Sequence, residues 1–158
     1  MGREIRRVPP GWEHPKDEQG HYTPLLDEDF DTAAAKWDEQ NRVWDAGTHP
    51  DQIRFRGETP RYFAQWDGNR PDPDYYRPAW AEGEATAYQV YETVSEGTPV
   101  SPVFQTEDEL YRWLRDQGHS EHAAREFIKH KWAPSMVWHI SPDNARTVAM
   151  GIDTFDLP

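Results

Sequence analysis

The side chains best suited by type to do chemistry are seven histidines, one hydroxyl-rich loop and a large excess of carboxylates. His122, Glu126 and His130 recur every four residues, a spacing that can bring two imidazoles and a carboxylate to one metal on a helix. On a helical wheel they lie away from the apolar arc of Ala124, Phe127 and Ile128. The spacing therefore describes a solvent face, and no metal is expected there. His14 and His21 stand in a loop among acids without a ligand pattern. The loop Ser95-Glu96-Gly97-Thr98-Pro99-Val100-Ser101-Pro102 is the best candidate for a pocket. Gly97 permits positive φ, two prolines restrict the path, and hydroxyls with free backbone N–H groups can hold a small polar ligand. Trp132-Ala133-Pro134-Ser135-Met136 is a second irregular break that could meet it. Ser95, Glu96, Gly97, Thr98, Ser101, Trp132 and Ser135 would then share one site. The alternative is a loop whose hydroxyls satisfy its own backbone and cap the next helix.

Catalytic signatures are missing. There is no cysteine, no Gly-x-Ser-x-Gly elbow, no phosphate loop and no Gly-x-Gly-x-x-Gly, so no cofactor is expected and the reading leans away from an enzyme without excluding one. Lys plus Arg number 17 and Asp plus Glu 29, a formal charge of −12. That balance disfavours direct binding to nucleic acid or to an anionic membrane surface, and favours a basic protein partner. The charge is uneven. Residues 17–51 hold ten acids against Lys36 and Arg42, whereas residues 3–16 are basic on balance. Asp31, Asp38, Glu39 and Asp45 form the candidate acidic docking face, against the simpler alternative of a solvated helix flank. Arg3, Arg6 and Arg7 are expected to pair with acids of the long helix, with a phosphate clamp as the alternative.

The elements that must position these groups follow from pattern. Leu, Ile, Val and Phe supply only 24 residues. Eight Trp, seven Tyr and six Phe can recover the missing buried area at roughly 150–250 Å² each. A single folded domain over 1–158 is expected, with a Trp-rich core and long Pro-rich loops. Glu4 to Val8 reads as a short edge strand ended by Pro9 and Pro10. A helix capped by Asp29 or Asp31 and closed near Gly47 would bury Phe30, Ala33, Ala34, Trp37, Asn41 and Trp44. Pro60 to Trp66 reads as a short helix capped by Thr59. Pro71 to Pro78 reads as a strap anchored by Tyr75, Tyr76 and Trp80, with a flexible interdomain linker as the rival reading. Ala85 to Val94 is the best central strand, with Ala87, Gln89 and Tyr91 on one face and Tyr88, Val90 and Glu92 on the other. A second helix starts at the Thr106/Glu109 capping box and a third runs from Ser120 to about Lys131. Met136–Ile140 and Thr147–Ile152 follow as adjacent strands. The fold class expected is α+β: an antiparallel sheet of three to five strands with about three helices on one face.

The segments Arg3-Glu4-Ile5-Arg6-Arg7-Val8-Pro9, Trp12-Glu13-His14-Pro15, Tyr76-Arg77-Pro78, Tyr91 through Phe104, and Trp132 through Met136 together resemble a family of small, uncharacterised proteins of bacteriophages and related mobile elements. The resemblance spans most of the chain. It implies a phage-encoded protein acting in a bacterial cytoplasm and carries over no catalytic residue. With the charge, it leads to the expectation of a non-enzymatic binder of a host protein, for instance one occupying the nucleic-acid groove of a defence nuclease. A small-ligand binder or enzyme built on the 95–102 loop is the second expectation, and a virion component the third. No apolar run approaches the roughly 20 residues of a membrane span.

Overall fold

The computed structural model describes residues 1–95, 97–143 and 145–157. Strands β1 (Arg3–Val8), β2 (Leu26–Asp29), β3 (Tyr76–Arg77), β4 (Ala87–Glu92), β5 (Thr98–Pro99), β6 (Trp132–Ala133), β7 (Met136–Ile140) and β8 (Arg146–Met150) form three separate sheets. Among the described residues five α-helices accompany them: α1 (Phe30–Asp45), α2 (Pro50–Arg54), α3 (Phe63–Trp66), α4 (Glu107–Asp116) and α5 (Glu121–His130). The architecture is α+β. By contacts the chain divides into two compact units, Met1–Leu25 with Trp80–Pro158, and Leu26–Ala79.

In the first unit the sheet order is β5-β4-β1-β6, antiparallel throughout. β1 is not the edge strand expected. All six of its residues pair with β4, and Arg3 and Glu4 also pair with β6. The prolines after Val8 end the strand without protecting its flank, because the rows that pair precede them. β4 is internal, as its composition predicts, and its two faces do different work. Val90, with its partner Ile5, meets Leu110, Leu114, Ala123, Ala124 and Phe127 of the helices in one buried cluster. On the opposite face Ala87 and Tyr91 pack with Val8, half-covered by Trp12, Trp80 and Val103.

The helices sit where their caps predict. The Thr106 side chain accepts from the Glu109 N–H at 3.2 Å, and Ser120 accepts from Ala123 at 3.0 Å. The Glu109 carboxylate reaches the Gln105 N–H rather than Thr106, so the box closes one residue early. β7 and β8 pair as a hairpin apart from the main sheet. Met136, Trp138, Ile140, Val148 and Met150 there are 48–59% exposed, although their alternation reads as half-buried strand. β8 also stops earlier than expected. Gly151, at φ 57°, turns the chain into a 3-10 segment, Gly151–Asp156, that buries Ile152.

In the second unit α1 is capped by Asp29, whose carboxylate takes the Thr32 N–H at 2.9 Å. Ala33, Ala34 and Trp44 are buried, and Phe30, Trp37 and Asn41 are half-buried. Trp44 stacks near His49, Phe63 and Trp66, with ring centroids 5.2, 5.6 and 5.8 Å away, and its indole N–H donates to the Arg61 carbonyl. This core is aromatic, as composition required. α2 was not anticipated: His49 caps it and Pro50 takes its first position, a Pro-led start hidden by a polar sequence. α3 starts at Tyr62 rather than Thr59. The expected strap is only partly anchored, because Tyr76 meets Phe30 at 6.1 Å while Tyr75 is 63% exposed. β2 and β3 form a short parallel pair.

Candidate functional site

Asp31, Asp38, Glu39 and Asp45 are all exposed along α1. At 100° per residue, Asp31, Asp38 and Asp45 fall within about 40° of one line, and Glu39 stands off it. Seven residues at 1.5 Å each space the three by about 10.5 Å. Asp38 accepts two bonds from Arg70, at 2.8 and 2.9 Å, and Glu39 two from Arg42, at 2.8 and 2.7 Å. These arginines hold both carboxyls below their ordinary range. Both pairs are open to water and therefore contribute little to stability. Asp45 receives a long bond of 3.4 Å from Asn41.

The 95–102 loop uses its hydroxyls internally. Ser95 and Thr98 bond each other, and Ser95 also reaches the Glu92 carbonyl. Ser101 Oγ accepts from Val90 N at 2.8 Å and donates to the Pro102 carbonyl. Thr98 is part of β5, not free loop. Gly97, at φ 106°, is buried between the Leu25 carbonyl and the Arg6 guanidinium, so glycine is required there both by backbone angle and by space. Glu96 lies outside the described residues. Trp132 is exposed on β6, at the sheet edge opposite β5. Ser135 accepts the Gly2 N–H at 3.1 Å. The two breaks thus border opposite edges of the sheet, and the hydroxyls expected to face a ligand bond each other or backbone groups. On α5, Glu126 accepts from His130 at 3.2 Å and lies 3.6 Å from Lys129, while His122 is exposed. No metal-holding cluster is present among the described residues.

Ser101 nevertheless borders a cleft of about 930 Å³ whose other walls the loop reading missed. Trp12, His14 and Tyr22 come from the segment after β1, Gln89 from β4, and Pro99 to Val103 from the segment at β5. A chain of buried polar contacts forms beneath it. Trp12 Nε1 donates to Tyr91 Oη at 3.1 Å, and His14 Nδ1 stands 3.0 Å from that same oxygen. Tyr91 Oη is 3.1 Å from Gln89 Oε1, and Gln89 Nε2 donates to the Ser101 carbonyl at 2.9 Å. His14 Nε2 is 2.6 Å from the Thr23 carbonyl. The Arg6 guanidinium lies 4.3 Å over the Tyr91 ring, donates to the Leu25 carbonyl at 2.5 Å and pairs with Glu4. Burial pushes the His14 imidazole below its ordinary value. The Thr23 bond opposes this, and the Arg6 charge adds to it.

These residues carried two signals in the sequence. One is the Trp12-Glu13-His14-Pro15 segment, and the other is the polar member of the Ala87, Gln89, Tyr91 face of β4. A glutamine inside an otherwise apolar strand face marks a buried polar partner. No family model, curated protein or solved structure matches the chain.

Proposed function

We propose that this chain is a non-enzymatic binding protein, encoded by a bacteriophage or related element, that docks on a basic surface of a protein in a bacterial cell. The observation that carries the reading is the row of exposed carboxylates on α1, held at helical spacing by a helix that buries Ala33, Ala34 and Trp44 on the adjoining flank. Charge complementarity of this kind sets partner choice and encounter rate more than raw affinity. The guanidinium partners of Asp38 and Glu39 are themselves solvent-exposed, so a partner's cations can replace them at small cost. A surface shaped to bind nucleic-acid phosphates, such as the groove of a defence nuclease, offers cations at comparable density. The phage source rests on the sequence resemblance alone.

The test compares the wild-type chain with a variant carrying Asp31→Asn, Asp38→Asn, Glu39→Gln and Asp45→Asn. Each is used to capture proteins from infected bacterial cells, with identification by mass spectrometry. The reading expects basic proteins retained by the wild type and lost by the variant. Equal capture by both, with the variant folded by circular dichroism, refutes it.

A further inference from the structure

We infer that the cleft over His14 and Gln89 binds a neutral, hydroxyl-bearing ligand with an apolar face, the chemistry of a sugar ring. The inference is independent of the α1 reading and begins with a proton count. The Thr23 carbonyl can only accept, so His14 Nε2 carries a proton. The Ser101 carbonyl can only accept, so the Gln89 amide nitrogen faces it and Gln89 Oε1 faces Tyr91. The Trp12 indole can only donate. Tyr91 therefore receives the Trp12 N–H and has one proton to give. Two acceptors stand ready for it, His14 Nδ1 at 3.0 Å and Gln89 Oε1 at 3.1 Å. While His14 is neutral, one of them goes unserved. His14 is 8% and Gln89 6% exposed, so the shortage is buried, yet both side chains line the cleft.

A proton on His14 would close the count. Nδ1–H would then donate to Tyr91, and the Tyr91 hydroxyl would serve Gln89. Burial and the Arg6 guanidinium behind Tyr91 oppose that charge. Among the described residues, the groups bearing on the imidazole are Arg6 and Glu4 from β1, Tyr91 from β4, and Tyr22, Glu13 and Lys16 around the cleft. The 99–103 wall carries no titratable group. A donor from a ligand closes the count without adding charge.

The same surroundings select the ligand. A cationic donor meets the Arg6 field, and an anion brings acceptors to a site already short of a donor. A hydroxyl brings the missing proton and remains neutral. Trp12, Tyr22, Pro99 and Pro102 supply flat apolar walls, and Lys16, 4.8 Å over the Tyr22 ring, offsets Glu13 at the rim. About 930 Å³ lies at the upper end of the ~300–1,000 Å³ typical of small-molecule sites.

The experiment titrates the full chain with neutral trisaccharides of glucose, N-acetylglucosamine, mannose and galactose, by calorimetry and tryptophan fluorescence. At least one is expected to bind with Kd of about 1 mM or tighter. Its affinity should fall as pH drops through the lowered folded-state value of His14, because protonated His14 removes the vacancy. Gln89→Leu deletes one of the two acceptors, so it should weaken binding about tenfold and flatten the pH dependence. Tyr22→Ala, at an exposed wall, should weaken binding several-fold without loss of fold and reads out the site even if Gln89→Leu does not fold. The inference is overturned if no trisaccharide binds below about 10 mM. It is also overturned if folded Gln89→Leu or Tyr22→Ala binds as the wild type does.

Discussion

Replacing Tyr91 with Phe removes a single oxygen from the buried network and leaves the ring that packs against Val8 and Ala87. That oxygen accepts from Trp12 and serves one of two competing acceptors, His14 and Gln89. Among these three partners its loss therefore orphans one donor and one further acceptor, because one acceptor is already short. A buried polar group left unpaired costs about 1–3 kcal/mol, and Trp12, only half-buried beside the cleft, falls at the low end because water can reach it. The expected destabilisation is about 2–3 kcal/mol. Urea unfolding followed by circular dichroism and by tryptophan fluorescence measures it, as a lower midpoint at unchanged slope. Gln89→Leu should cost less than Tyr91→Phe, since it removes a surplus acceptor and leaves only the Ser101 carbonyl, beside the open cleft, without its donor. A Tyr91→Phe loss below about 0.5 kcal/mol, or a larger loss in Gln89→Leu, refutes the hydrogen-bond assignment.

Phe127, fully buried among Leu110, Leu114 and Ile5, should cost about 3–5 kcal/mol on truncation to Ala, read from the same unfolding curves. Gly97→Ala should destabilise strongly. It forces an L side chain to φ 106° and drives its Cβ into the Leu25 carbonyl oxygen, and a lowered melting temperature in calorimetry checks it. Stability should fall on mild acidification. The folded-state value of His14 lies below its unfolded one, so the unfolded chain takes up the proton first as pH drops below about 6.5. The contribution is full above that pH and is lost as pH falls toward the folded value. A His14→Gln variant should show a shallower fall in urea midpoint over the same range.

The capping residues Asp29, Thr106 and Ser120 made three helices readable, because their side chains bond the first free backbone N–H groups whatever the tertiary context. The two faces of β4 were readable from alternation. What decides whether a strand is internal is pairing with distant segments. Residues 132–133 complete β1, and nothing near Arg3 announces them. The β7–β8 hairpin failed differently: its alternation is real, but its apolar row is not covered among the described residues. At the loop, hydroxyls suggested a ligand while backbone groups within the loop and at Val90 used them. The cleft lay in plain view as Trp12 and His14. Only the fold of residues 9–25 over the Gln89 face brings them to Tyr91.

The salt dependence of a captured partner tests the docking reading most directly. Calorimetric titration of the wild-type chain against that partner, from about 50 mM to about 500 mM salt, should show affinity falling at least tenfold as exposed charges are screened. The four-fold amide variant should bind weakly throughout, with little slope. Affinity that holds across the range, or an equal slope in the variant, would contradict the claim that the α1 carboxylates make the contact.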